Sequence, residues 1–157
     1  MKAAVKSVPF IDLKRQYQTL APELNTGVLE VFARQHFILG EEVTRLEEEM
    51  GKYLGGARAL GVSSGTDALL LALMALEVGP GDEVITTPFT FFATAGVIAR
   101  LGARPVFVDI DPETFNLDPA LVEKAATPKT RVVMPVHLFG QCADMEPLQA
   151  LARNRGW

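Results

Sequence analysis

Val62-Ser63-Ser64-Gly65-Thr66-Asp67-Ala68-Leu69 is the stretch whose reading decides the fold. An apolar stretch ends at Val62, small polar residues and a glycine follow, and a long apolar run begins at Ala68. That order reads as strand, tight turn and helix N-terminus. The first turn of a helix has N–H groups without intrahelical acceptors, and its dipole favours negative charge. Ser64-Gly65-Thr66 is therefore a candidate anion site, with the glycine permitting close approach. A plainer reading uses the same residues, because serine and threonine are ordinary N-caps. The spacing fits neither a Walker loop nor a GxGxxG fingerprint.

Outward from this turn, strand and helix patterns alternate four times. Residues 58–62 read as a strand, and 66–76 as a helix that is apolar almost all round and therefore expected to be buried. Gly79-Pro80-Gly81-Asp82 is a turn, followed by a strand over 83–86 and a helix over 93–101. A strand over 104–108, a helix opened by Asp118-Pro119, a strand over 131–136 and a helix capped by Asp144 complete the series. Upstream, Asp12 can cap a helix from Leu13, Pro22 opens a second helical stretch, and a third runs from Glu41 until Gly55-Gly56 stops it. Residues 1–7 are expected to be loose. The division expected is a helical segment over 1–56 leading into an α/β domain over 57–157.

Alternating strands and helices imply right-handed crossovers and a mainly parallel sheet with helices on both faces. Ligands of such sheets bind beyond the carboxyl ends of the strands. The loops expected there are 63–66, 87–92, 109–111 and 137–141. Phe89-Thr90-Phe91-Phe92 offers a stacking face for a flat ring, or three core aromatics. His137 ends a strand, where an imidazole serves as hydrogen-bond partner or base, or as a structural group. Asp109 and Asp111 suit a metal pair less well than a turn, since neither a histidine nor a third carboxylate adjoins them.

Composition excludes several classes. The chain has 157 residues, enough to bury about 70% of its unfolded surface as one domain. Its net charge of −4, with no basic cluster, argues against nucleic acid as the main partner. One cysteine, Cys142, rules out an intramolecular disulfide and offers no metal-site spacing. The longest apolar run, residues 68–76, is too short to span a bilayer, which makes the cytoplasm the expected location. The last helix has just ended where a further strand would be due, so an interrupted domain is expected.

Seven stretches, in order, carry a resemblance. They are Val8-Pro9-Phe10-Ile11-Asp12-Leu13; Phe37-Ile38-Leu39-Gly40-Glu41-Glu42-Val43; Ser64-Gly65-Thr66-Asp67-Ala68-Leu69; Gly79-Pro80-Gly81-Asp82-Glu83-Val84-Ile85; Phe89-Thr90-Phe91-Phe92-Ala93-Thr94; Pro105-Val106-Phe107-Val108-Asp109-Ile110-Asp111; and Val136-His137-Leu138-Phe139-Gly140-Gln141. Together they resemble the N-terminal part of the DegT/DnrJ/EryC1/StrS aminotransferases. The resemblance implies the large domain of a fold-type-I pyridoxal-phosphate enzyme, here truncated.

It further implies a homodimeric, cytoplasmic enzyme that transfers an amino group, usually from glutamate, to a nucleotide-linked keto-sugar. It assigns cofactor binding to Ser64, Gly65 and Thr66 at the phosphate and to Phe91 over the pyridine ring. The start of the chain and Ile38-Leu39-Gly40 would border the sugar-nucleotide site. A Schiff-base lysine and an aspartate for the pyridinium nitrogen are also required, and both are expected beyond Trp157. Lys2, Lys6, Lys14, Lys52, Lys124 and Lys129 match no such context. The chain by itself is thus expected to be inactive, with no catalytic residue. A dehydratase of the same family, or a non-catalytic dimerisation module, is the alternative.

Overall fold

Val84 and Ile85 are neighbours on one strand, and each belongs to a different hydrophobic cluster. That division is the centre of the architecture. The computed structural model describes residues 8–157, and residues 1–7, expected to be loose, lie outside the described residues. The chain divides into two compact units, Met1–Gly61 and Val62–Trp157.

The first unit holds α1 (Leu13–Arg34) and α2 (Glu41–Tyr53). Asp12 caps α1 by accepting the Arg15 N–H at 3.1 Å. The sequence reading placed a new helix at Pro22, but α1 runs straight through it. Proline costs one backbone bond there, to the carbonyl four residues back, and the helix tolerates that loss. Arg34 ties the end of α1 to the start of α2 through Glu41 at 2.8 Å and Glu42 at 2.7 Å. Gly51 is buried on α2, and a Cβ there would come 2.6 Å from the Ala57 carbonyl oxygen.

The second unit holds α3 (Gly65–Ala75), β1 (Glu83–Thr86), α4 (Ala93–Arg100), β2 (Arg104–Phe107), α5 (Pro119–Ala125), β3 (Thr130–Val133) and α6 (Met145–Arg155). The sheet is parallel, in the order β2-β1-β3. Strand β1 lies in the middle and is buried at every position, as expected of a strand covered on both faces. On one face Val84 packs with Leu70 and Leu73 of α3 and with Val97 and Ile98 of α4. On the other, Ile85 packs with Val122 of α5 and Leu148 of α6. Side chains alternate along a strand, so adjacent residues serve opposite cores. The expected α/β sheet with helices on both faces is what the chain forms.

Two further expectations need correction. Residues 58–62 form no strand: their backbone pairs with no strand among the described residues, and Leu60 is 80% exposed. The Gly61 N–H instead donates to Glu47 Oε1 at 2.7 Å. Helix α3 is not buried all round either. Leu70 and Leu73 are covered, whereas Leu71, Met74 and Leu76 are exposed. One side of α3 meets β1 and α4, and its other side has no covering layer within the second unit.

Candidate functional site

Helix α3 descends one face of the sheet, turns at residues 79–82, and returns as β1, so its N-terminus lies at the carboxyl end of that strand. Asp82 shapes this turn by accepting the Gly79 N–H at 2.9 Å. Helix α4 leaves the same end of β1 and packs beside α3. The turn after α3 and the crossover through α4 therefore each bring a helix N-terminus to the edge where parallel sheets take ligands.

At the first of them, Ser64 is the N-cap, with extended backbone and its Oγ accepting the Asp67 N–H at 3.1 Å. The Ser64 carbonyl accepts the Ala68 N–H at 2.9 Å, which begins the helix. The N–H groups of Gly65 and Thr66 then have no acceptor among the described residues. A Cβ built on Gly65 would meet nothing within 4 Å. Nothing among the described residues requires glycine there, and its missing side chain leaves the space above the two amides open. The half-buried Thr66 contributes a hydroxyl to the same turn. Two amides, a hydroxyl and a helix dipole fit a phosphate group.

Asp67 stands at the third position of α3. Its Oδ2 accepts the Ser64 hydroxyl at 3.0 Å and the Ser63 hydroxyl as well. These bonds, first from Ser63 and then from Ser64, with a contribution from the Arg100 charge, hold its carboxyl below the usual aspartate range.

Phe91 lies just before α4 and is 77% exposed. Its carbonyl accepts the Thr94 N–H at 3.1 Å, and Thr90 and Thr94 share a hydroxyl hydrogen bond of 2.9 Å. The loop is thus fixed while the Phe91 ring stays free. Phe89 behaves differently. It packs with Phe115 and Phe139 at centroid distances of 6.1 Å each, and those two lie 6.3 Å apart. The aromatic loop therefore splits, with Phe89 in a cluster and Phe91 and Phe92 exposed.

His137 accepts the Ala143 N–H at Nδ1, 3.0 Å away, so a neutral ring carries its proton on Nε2. Asp111 builds a turn, its Oδ1 accepting the N–H groups of Glu113 at 2.9 Å and Thr114 at 2.8 Å. Among the described residues no group of histidine, cysteine, aspartate or glutamate side chains is arranged to hold a metal. The sequence reading missed two features at this end of the sheet. Thr86 is fully buried and donates its hydroxyl to the Met134 carbonyl at 2.9 Å, tying the ends of β1 and β3 together. Asp67 gathers two serine hydroxyls, which the spacing Ser64-x-x-Asp67, that of a capping box, could have signalled.

The family model of the DegT/DnrJ/EryC1/StrS aminotransferase family matches residues 18–157. The chain belongs to that family. It is 55% identical over 96% of its length to the "Pleiotropic regulatory protein" of Geobacillus stearothermophilus, of which it covers 40%. It is 48% identical over 95% of its length to the UDP-2-acetamido-2-deoxy-3-oxo-D-glucuronate aminotransferase of Pseudomonas aeruginosa, of which it covers 42%. Among solved structures, Ntda of Bacillus subtilis, seen with bound cofactor PMP, superposes with a TM-score of 0.91 at 33% identity. That match takes in 99% of this chain and 36% of the other. The chain thus spans about two-fifths of the length of the curated relatives it matches. Among the described residues, no helix is long and apolar enough to cross a membrane.

Proposed function

We propose that this chain supplies the cofactor-phosphate cup of a pyridoxal-phosphate-dependent aminotransferase acting on a nucleotide-linked keto-sugar. The observation that carries the reading is the pair of uncommitted amides at Gly65 and Thr66 under open space, in a member of this family. In this reading Gly65 and Thr66 donate their N–H groups to the phosphate, the Thr66 hydroxyl adds a third donor, and Ser64 holds the turn. Phe91 presents its free ring to the pyridine face. Residues 57–157 are then a part of the cofactor-binding large domain, and residues 1–56 lead into it. The intact enzyme is a cytoplasmic homodimer with glutamate as amino donor.

When bound, the cofactor carries the amino group between donor and acceptor. What the chain's own residues do is hold and orient it by its phosphate end. We assign the lysine and the acidic partner of the cofactor's reactive end to no residue of this chain, and so expect no transamination from these 157 residues alone.

The experiment is a titration of pyridoxal phosphate into the purified chain, followed by absorbance, with and without borohydride. Binding that inorganic phosphate displaces, with no reducible adduct on any lysine by mass spectrometry, is the expected result. One lysine reduced in high yield would overturn the assignment of the catalytic lysine outside this chain. Binding that inorganic phosphate does not displace would overturn the phosphate cup.

A further inference from the structure

Asp67 lies inside the first turn of the helix whose N-terminus forms the cup. Each serine hydroxyl has one proton to donate, and both Ser63 and Ser64 donate theirs to Asp67 Oδ2. The two serine hydroxyls that precede the Gly65 and Thr66 amides are therefore already engaged by an anion of the chain itself. We propose that Asp67 is a built-in competitor for the phosphate: a fixed carboxylate that takes the serine hydroxyls and part of the helix-terminus field, and so weakens phosphate binding at the cup.

This inference rests on reading Ser64-Gly65-Thr66 as the phosphate cup. Its physical basis is separate. A phosphate on the first-turn amides and a carboxylate in the same turn are two anions sharing one helix dipole. They repel through a partly solvated gap. Binding also requires the serine hydroxyls either to stay on Asp67 or to rotate to the phosphate, since neither can serve both. The Arg100 charge acts on Asp67 more weakly than the two serine hydroxyls do. An aspartate that merely capped the helix would give the opposite result on removal, a looser turn and weaker binding.

The test is isothermal titration with inorganic phosphate, and separately with pyridoxal phosphate, of the wild-type chain, Asp67→Asn and Asp67→Ala. Asp67→Asn keeps the size and one acceptor oxygen but removes the charge, and is expected to tighten phosphate binding roughly five- to tenfold. Asp67→Ala, which also frees both serine hydroxyls, is expected to bind at least as tightly as Asp67→Asn. The gap between wild type and variants should narrow as sodium chloride is raised, because the repulsion is screened. Circular dichroism establishes that each variant is folded. Equal or weaker binding by both variants, with wild type still binding, overturns the competitor and leaves the cup standing. If all three chains fail to bind phosphate, cup and competitor fall together.

Discussion

Glu83 and Arg104 are register partners across the β1–β2 ladder, and the same two residues close an ion pair over the amino end of the sheet. Glu83 is 3% exposed, and its second oxygen accepts the Thr127 hydroxyl at 2.7 Å. The Arg104 hydrogen bond, first, and the Thr127 hydroxyl, second, hold the Glu83 carboxyl below the ordinary glutamate range. Its folded value being depressed, Glu83 contributes stability that is fully present above the ordinary glutamate range and is lost as pH falls through the lower folded value. The melting temperature of the wild-type chain is expected to fall on acidification through this window. Arg104→Leu should cost about 1–2 kcal/mol at neutral pH, a figure discounted for the exposed guanidinium, and should flatten the acid dependence. Thermal melts from pH 7 to pH 3 check both. An unchanged acid slope in Arg104→Leu would contradict the assignment.

Gly51 is required by close approach rather than by backbone angle. A Cβ there meets the Ala57 carbonyl oxygen at 2.6 Å, and backbone cannot swing aside as a side chain can. Gly51→Ala is expected to destabilise the first unit by about 1–3 kcal/mol, despite alanine's better helix propensity. Gly27, whose Cβ would meet nothing within 4 Å, is the control. Gly27→Ala should stabilise α1 by roughly 0.5–1 kcal/mol. Denaturant titrations of the two variants should move in opposite directions.

Thr66 and Phe91 divide the cofactor between them in the proposed site. Thr66→Val keeps the shape and removes the hydroxyl. It is expected to weaken both inorganic phosphate and pyridoxal phosphate about tenfold, in line with a hydrogen bond to a charged group. Phe91→Ala should leave inorganic phosphate binding unchanged and weaken pyridoxal phosphate about threefold to tenfold. Its melting temperature should stay close to wild type, because the ring is mostly exposed. Equal losses for both ligands in Phe91→Ala would remove the stacking role.

Thr86 locks the carboxyl end of β1 to that of β3 through one buried hydroxyl. Thr86→Val preserves volume but leaves the Met134 carbonyl without that donor. The expected cost is about 1–2 kcal/mol, read as a lower denaturation midpoint with an unchanged slope.

Much of the fold is legible along the chain because its signals are local. Asp12, Ser64 and Asp118 cap the helices expected after them, each by accepting a nearby backbone N–H. Gly156 ends α6 in the left-handed conformation that glycine adopts without a Cβ penalty. The strand expected over 83–86 is the buried central strand. Residues 58–62 show the limit of such signals. Their composition suits a strand, but a strand exists only when a second backbone takes up its hydrogen bonds, and composition says nothing about a partner. Pro22 misleads in the other direction, since a first-turn proline and one carried inside a longer helix look alike until the flanking turns are placed.

The sequence by itself determined the alternation of elements, the parallel α/β class, the helix-opening turn at Ser64-Gly65-Thr66, and the residues that resemble one family. Each of these depends on neighbours a few residues apart. Only the tertiary structure decided that Phe89 joins Phe115 and Phe139 while Phe91 stays free. It alone set Glu83 against Arg104 and Thr127, and Thr86 against Met134. Those pairings join residues 21 to 48 positions apart. No local preference encodes them; they follow from the order and register in which the strands are laid beside one another.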